Sequence, residues 1–98
     1  MLSQSEFHEK CREVSGYWQN LMGMMAMEEL AELSKAISKM ERSIQKGENH
    51  KDTPKLRTNV IEEMGDVLIC IEALKGDYDI SNQEIMEYVE HKLNKKYE

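Results

Sequence analysis

Apolar residues recur every three or four positions through most of this chain, the period of an α-helix with one covered face. Leu30, Leu33, Ile37, Met40 and Ile44 keep that rhythm. They predict a long second helix over about residues 17–46, weakened at Gly23 and stopped by Gly47. Upstream, Phe7, Cys11 and Val14 mark the inner side of a first helix that Ser3 or Ser5 caps. It runs to about residue 14, where Ser15-Gly16 breaks it. Thr53-Pro54 opens a third helix, with the threonine hydroxyl as cap and proline in the first turn, ending at Lys75 before Gly76. Its stretch Val67-Leu68-Ile69-Cys70-Ile71 is apolar all round, as expected of a helix covered on both sides, and hints at a dimer. Ser81-Asn82-Gln83-Glu84 reads as a capping box for a fourth helix, with Ile80 and Ile85 as a hydrophobic staple. Ile85, Val89 and Leu93 are expected to face inward. The polar run Gly47-Glu48-Asn49-His50-Lys51-Asp52 has no period and reads as a mobile connection that would gate a nearby site.

Composition agrees with an all-α reading. One proline and five glycines leave little turn material for a multi-stranded sheet. Ninety-eight residues suit a single domain over 1–98, near the lower bound for a self-sufficient core, so oligomerisation would help. A net charge of −6 argues against sequence-independent nucleic-acid binding. No apolar run approaches the length of a membrane span or a signal peptide, so a soluble, cytoplasmic protein is expected. Cys11 and Cys70 share no zinc spacing and read as free thiols.

The chemistry is concentrated in Met27-Glu28-Glu29-Leu30-Ala31-Glu32-Leu33 and its echo Ile61-Glu62-Glu63-Met64-Gly65-Asp66-Val67. Residues three apart on a helix are about 60° apart around its axis, so Glu29 with Glu32, and Glu63 with Asp66, share a side. Glu29 lies about 60° and Glu32 about 120° from the mean direction of the apolar stripe, and Glu63 about 90° from its own. A single such pair is most often a solvated face. Two pairs on neighbouring helices would bring four carboxylates together, a charge density that demands a cation. Oxygen-only donors suit Mg²⁺, with Mn²⁺ as a substitute, better than zinc or a di-iron centre. Glu28 and Glu62, four residues before Glu32 and Asp66, would add a ligand or support one.

Glu28-Glu29-x-x-Glu32 followed by Glu63-x-x-Asp66 resembles the signature of the MazG-like nucleotide pyrophosphohydrolases. The likeness takes in Glu-Glu-Leu-Ala-Glu-Leu-Ser-Lys-Ala-Ile-Ser-Lys and Glu-Glu-Met-Gly-Asp-Val-Leu-Ile, reaches loosely to Lys92-Leu93, and covers about residues 21–93. It implies a four-helix MazG-like bundle, assembled as a dimer or a dimer of dimers. It implies Mg²⁺ held by Glu29, Glu32, Glu63 and Asp66, and hydrolysis of a nucleoside triphosphate to a monophosphate and pyrophosphate. House-cleaning of the nucleotide pool would be the purpose. The general base stays unassigned between Glu28 and Glu32.

Lys35, Lys39, Arg42 and Lys46 form a basic stripe beside the acids; they and Lys92 are candidates for phosphate contacts, against the plainer reading of a solvated face. Tyr17 and Trp18 read as core or interface before base-stacking platforms. Met22, Met24, Met25 and Met27 read as packing residues. His8, His50 and His91 read as surface residues. Two rival functions fit the same residues: a non-catalytic oligomer with a structural metal, and an acidic helical adaptor without one.

Overall fold

The computed structural model describes residues 1–18, 21–48 and 53–97, apart from the side chains of residues 96 and 97. Its described residues form four α-helices and no strand: α1 Gln4–Trp18, α2 Met22–Gln45, α3 Pro54–Asp77 and α4 Asn82–Tyr97. The all-helical class expected from the apolar period is what folds. Residues 49–52 of the expected gating connection, His50 among them, lie outside the described residues.

Local chemistry sets most of the ends. Ser3 caps α1 reciprocally, accepting from the Glu6 amide at 3.1 Å while its own amide donates to Glu6 Oε1 at 3.2 Å. Ser81 and Glu84 make the same exchange at α4, with amide contacts of 2.8 and 3.1 Å. Gly47, at φ 91°, ends α2 in the left-handed conformation that a side chain disfavours. The amides of Gly47 and Glu48 then return to the carbonyls of Ile44 and Ser43, a Schellman closure.

Three ends differ from the sequence reading. α1 passes through Ser15-Gly16 to Trp18. Ser15 Oγ donates to Asp77 on α3, and Trp18 packs on the core beyond, so tertiary contact outweighs a glycine penalty of about 1 kcal/mol. α2 consequently begins at Met22, not near residue 17. α3 passes through Gly76 and stops where Asp79 takes φ 54°, with the Ile80 amide donating to the Lys75 carbonyl at 2.9 Å. Aspartate is among the few side chains that tolerate this conformation. Thr53 precedes α3 as expected, but its hydroxyl makes no capping bond and instead approaches Met40 Sδ at 3.8 Å.

α2 and α1 both pack against α3. Their shared core is Met22, Ala26, Cys70 and Ala73, against which Val14, Trp18, Met25 and Leu74 lie. The buried positions of α2 are thus Met22, Ala26, Ala36 and Ser43, while Leu30, Ile37 and Ile44 of the expected stripe stay exposed. Small residues let the helix axes approach, which turns the seam away from the direction of the largest side chains. α4 meets the other helices only marginally. Leu93, expected to face inward, is 52% exposed.

A polar latch holds α1 on α3. His8 Nδ1 lies 2.6 Å from Glu72 Oε2, and Lys75 Nζ donates to Glu72 Oε1 at 2.5 Å. His8 is therefore half-buried and engaged, not a free surface residue. Burial opposes the Glu72 charge, but hydrogen bonds and charge from Lys75 and His8 prevail and lower its pKa. A carboxylate lowered on folding stabilises the fold above its unfolded pKa, about 4.3, and that contribution fades as pH falls through the folded value. Acid titration followed by fluorescence of Trp18, the single tryptophan, should show α1 releasing below the ordinary carboxylate range. In Glu72→Gln that acid-dependent step should vanish; an unchanged profile would remove the latch from the account.

Candidate metal centre

The register of α2 on α3 places the acids. Met40 meets Thr53 at one end of the seam, and at the other a Cβ added to Gly23 would stand 3.1 Å from the Tyr78 hydroxyl. The two helices therefore run antiparallel, with the first acidic stretch opposite the second. One carboxylate oxygen from each of Glu29, Glu63 and Asp66 lies within 4.8 Å of the others. Ala26 and Cys70, one turn from Glu29 and Asp66 respectively, belong to the core, so the acids sit at its edge.

Electrostatics mark the same place. Burial, then Asp66, Glu63, Glu32 and Glu28, raise the Glu29 pKa from its ordinary value. Burial, then Asp66, Glu32 and Glu62, do the same to Glu63. Both charged forms are penalised by their surroundings, and Glu63 Oε2 is buried without a hydrogen-bond partner among the described residues. Three carboxylates, one of them with an orphaned oxygen, fit a hard divalent cation, which would reverse the sign of each of these effects.

Glu32, expected as a fourth converging ligand, stands outside the three. It is exposed, one turn further on and rotated outward by about 60°, and reaches Glu29 and Glu63 only through charge. Glu28 and Glu62 are exposed as well. Of the cationic candidates, Lys35 is exposed and stands nearest Glu29 along α2, about 9 Å away by helix rise. Lys39 and Arg42 line a separate groove with Ser43, Lys46 and Glu48. Arg42 lies about 20 Å along α2 from Glu29, too far to share a triphosphate held at the acids. Lys92 is exposed on α4. Tyr17 and Trp18 meet edge to face at 5.4 Å, Trp18 turned to the core and Tyr17 to solvent.

Glu72 and Lys75 carried no sequence signal beyond a charged pair at helical spacing; only the fold brings His8 to them. They line a cleft of about 1080 Å³ with Arg12, Asp77 and Asn82, which takes in none of Glu29, Glu63 and Asp66 and in which Glu72 is paired with His8 and Lys75. Cys11 and Cys70 are buried free thiols, both raised in pKa chiefly by burial.

No family model matches the chain, and no solved structure matches it. Among curated proteins it is similar to the uncharacterized protein YvdC of Bacillus subtilis (strain 168). The two are 32% identical over 94 residues, which cover 95% of this chain and 88% of YvdC.

Proposed function

The chain belongs to the family of YvdC, and we propose that it is a divalent-metal-dependent nucleotide pyrophosphohydrolase of the MazG-like kind, working as an assembly of like chains. One observation carries this reading: Glu29, Glu63 and Asp66 present oxygens within 4.8 Å of one another, and Glu63 Oε2 is buried with no hydrogen-bond partner among the described residues. The likeness of the two acidic stretches to the MazG-like signature supplies the substrate class.

In the proposed reaction, water adds to the α-phosphorus of a nucleoside triphosphate while the bond to the α–β bridging oxygen breaks. The electron pair leaves with pyrophosphate, and the nucleoside monophosphate remains. Glu29, Glu63 and Asp66 would hold Mg²⁺, which would supply positive charge against the charge that develops on the phosphates. Glu32, outside the three but acting by charge on both Glu29 and Glu63 where Glu28 acts on Glu29 alone, is the carboxylate best placed to accept the proton of the attacking water. Lys35 is the cation best placed to meet the departing phosphates.

The test is pyrophosphate release from a panel of canonical and modified nucleoside triphosphates and diphosphates, with Mg²⁺, with Mn²⁺ and with chelator. Turnover that requires the metal supports the reading; no product from any nucleotide overturns it. A second reading keeps the metal and drops the chemistry, favoured by the exposure of Asp66 and by three clefts that take in none of the acids. Both readings predict that Mg²⁺ raises the melting temperature. At a hundred times its dissociation constant, a cation bound only by the folded state adds about 2.7 kcal/mol. Calorimetry against a chelated sample measures that gain, and a melting temperature indifferent to divalent cations would leave only the metal-free adaptor.

A further inference from the structure

The chain is acidic overall, with a net charge of −6, yet the groove at the end of α2 is basic. Lys39, Arg42 and Lys46 line it against one carboxylate, that of Glu48, with the buried Ser43 beneath. Its volume is about 330 Å³, the size of a small-ligand site. Among the described residues none of the three cations makes an ion pair. Like charges gathered around one hollow repel one another, and only Glu48 offsets them there.

Two features separate this groove from an ordinary basic helix end. Cations complement a helix dipole within its last turn, which accounts for Arg42 and Lys46, but Lys39 lies nearly two turns before Gln45. The terminal carbonyls are also engaged already. Those of Arg42, Ser43 and Ile44 accept from the amides of Lys46, Gly47 and Glu48 at 2.9–3.2 Å, so an entering anion meets side-chain cations and not bare carbonyl oxygens. Glu48 follows the left-handed turn at Gly47 and is tied to Ser43, whose hydroxyl donates to its Oε2. One oxygen of the opposing carboxylate is thereby occupied.

We propose that this groove binds a small phosphate anion of the pyrophosphate class, with Arg42 as a two-pronged donor and Lys39 and Lys46 as flanking charges. A guanidinium presents paired N–H donors that match adjacent phosphate oxygens, and an ammonium meets them as a point charge. About 10 Å of helix rise separates Lys39 from Lys46, with Arg42 between, a spread that suits two joined phosphates better than one carboxylate. The groove is distinct from the acidic centre, since Lys39 lies about 15 Å along α2 from Glu29 and Arg42 further still. Pyrophosphate is what the proposed reaction would release, but binding here requires neither metal nor turnover, so it stands or falls apart from that catalysis.

Calorimetric titration of the full chain with inorganic pyrophosphate in metal-free buffer tests the site, with inorganic phosphate and a short single-stranded oligonucleotide titrated in parallel. One pyrophosphate per chain is expected, held more tightly than phosphate. Arg42→Gln and Lys39→Gln, on exposed side chains, should each weaken it about tenfold. Glu48→Gln keeps an acceptor for Ser43 and removes the opposing charge, so it should tighten binding about twofold or more. Lys92→Gln, on α4 and outside the groove, measures the effect of net charge alone and should change affinity less than about twofold. Absence of saturable pyrophosphate binding would overturn the proposal, as would a loss in Lys92→Gln equal to that in Arg42→Gln. Tighter binding of the oligonucleotide than of pyrophosphate would overturn the assignment to a small anion. Should Arg42→Gln fail to fold, Lys39→Gln against Lys92→Gln decides the matter.

Discussion

Asp66→Asn should lose about 10²–10³-fold of its Mg²⁺-dependent pyrophosphate release while keeping its helix content. The amide preserves the shape of the side chain and removes its charge. Asp66 is exposed, so no core contact is lost with it. Its charge acts on both Glu29 and Glu63. Removing it therefore relieves repulsion in the chelated protein, and the melting temperature without metal should hold or rise. With Mg²⁺ present the order should reverse, because a neutral amide binds a hard cation far less well than a carboxylate. The signature is an inversion of the two stabilities between chelator and metal, alongside lost turnover. Full activity in Asp66→Asn would take this residue out of the reaction.

Met22→Ala should destabilise the fold by about 2–5 kcal/mol, the range for emptying a large side chain from a packed core. Met22 is 1% exposed and lies where α1, α2 and α3 meet, beside Ala26, Cys70 and Ala73. For a chain of this size such a loss lowers the melting temperature by roughly 10 °C or more. Met24→Ala and Met27→Ala, on side chains more than half exposed, should stay within about 0.5 kcal/mol unless a partner covers them. Urea unfolding at one fixed protein concentration separates the three, with the midpoint moving at constant slope. A Met22→Ala cost below about 1 kcal/mol would mean that the core lies elsewhere.

The methionines show why the sequence stops short. Met22, Met24, Met25 and Met27 are chemically identical and fall within two turns, so nothing in their order marks the buried one. The approach of α1 selects Met22. The long-range fate of glycine was equally hidden. Gly47 ends its helix by taking the left-handed conformation that closes the last turn, whereas Gly16 and Gly76 are carried through by contacts beyond their own helices or by a later stop at Asp79. The capping box at Ser81 reads correctly because its partners are three residues apart, whereas at α1 the sequence offered Ser3 or Ser5 and the structure uses Ser3.

What the sequence determined by itself is everything that acts within about one helical turn. That covers the helical class, the cap at Ser81, and the placing of Glu29, Glu63 and Asp66 at the margins of apolar faces. Tertiary structure decided which carboxylates meet. The register of α2 on α3 gathers three, turns Glu32 outward and sends Lys39 and Arg42 to a different groove. It also decided that His8 serves Glu72 and that α4 stands apart from its own chain. Helical spacing fixes angles around one axis, but the convergence of two axes depends on how closely small residues such as Ala26 and Ala73 let them approach.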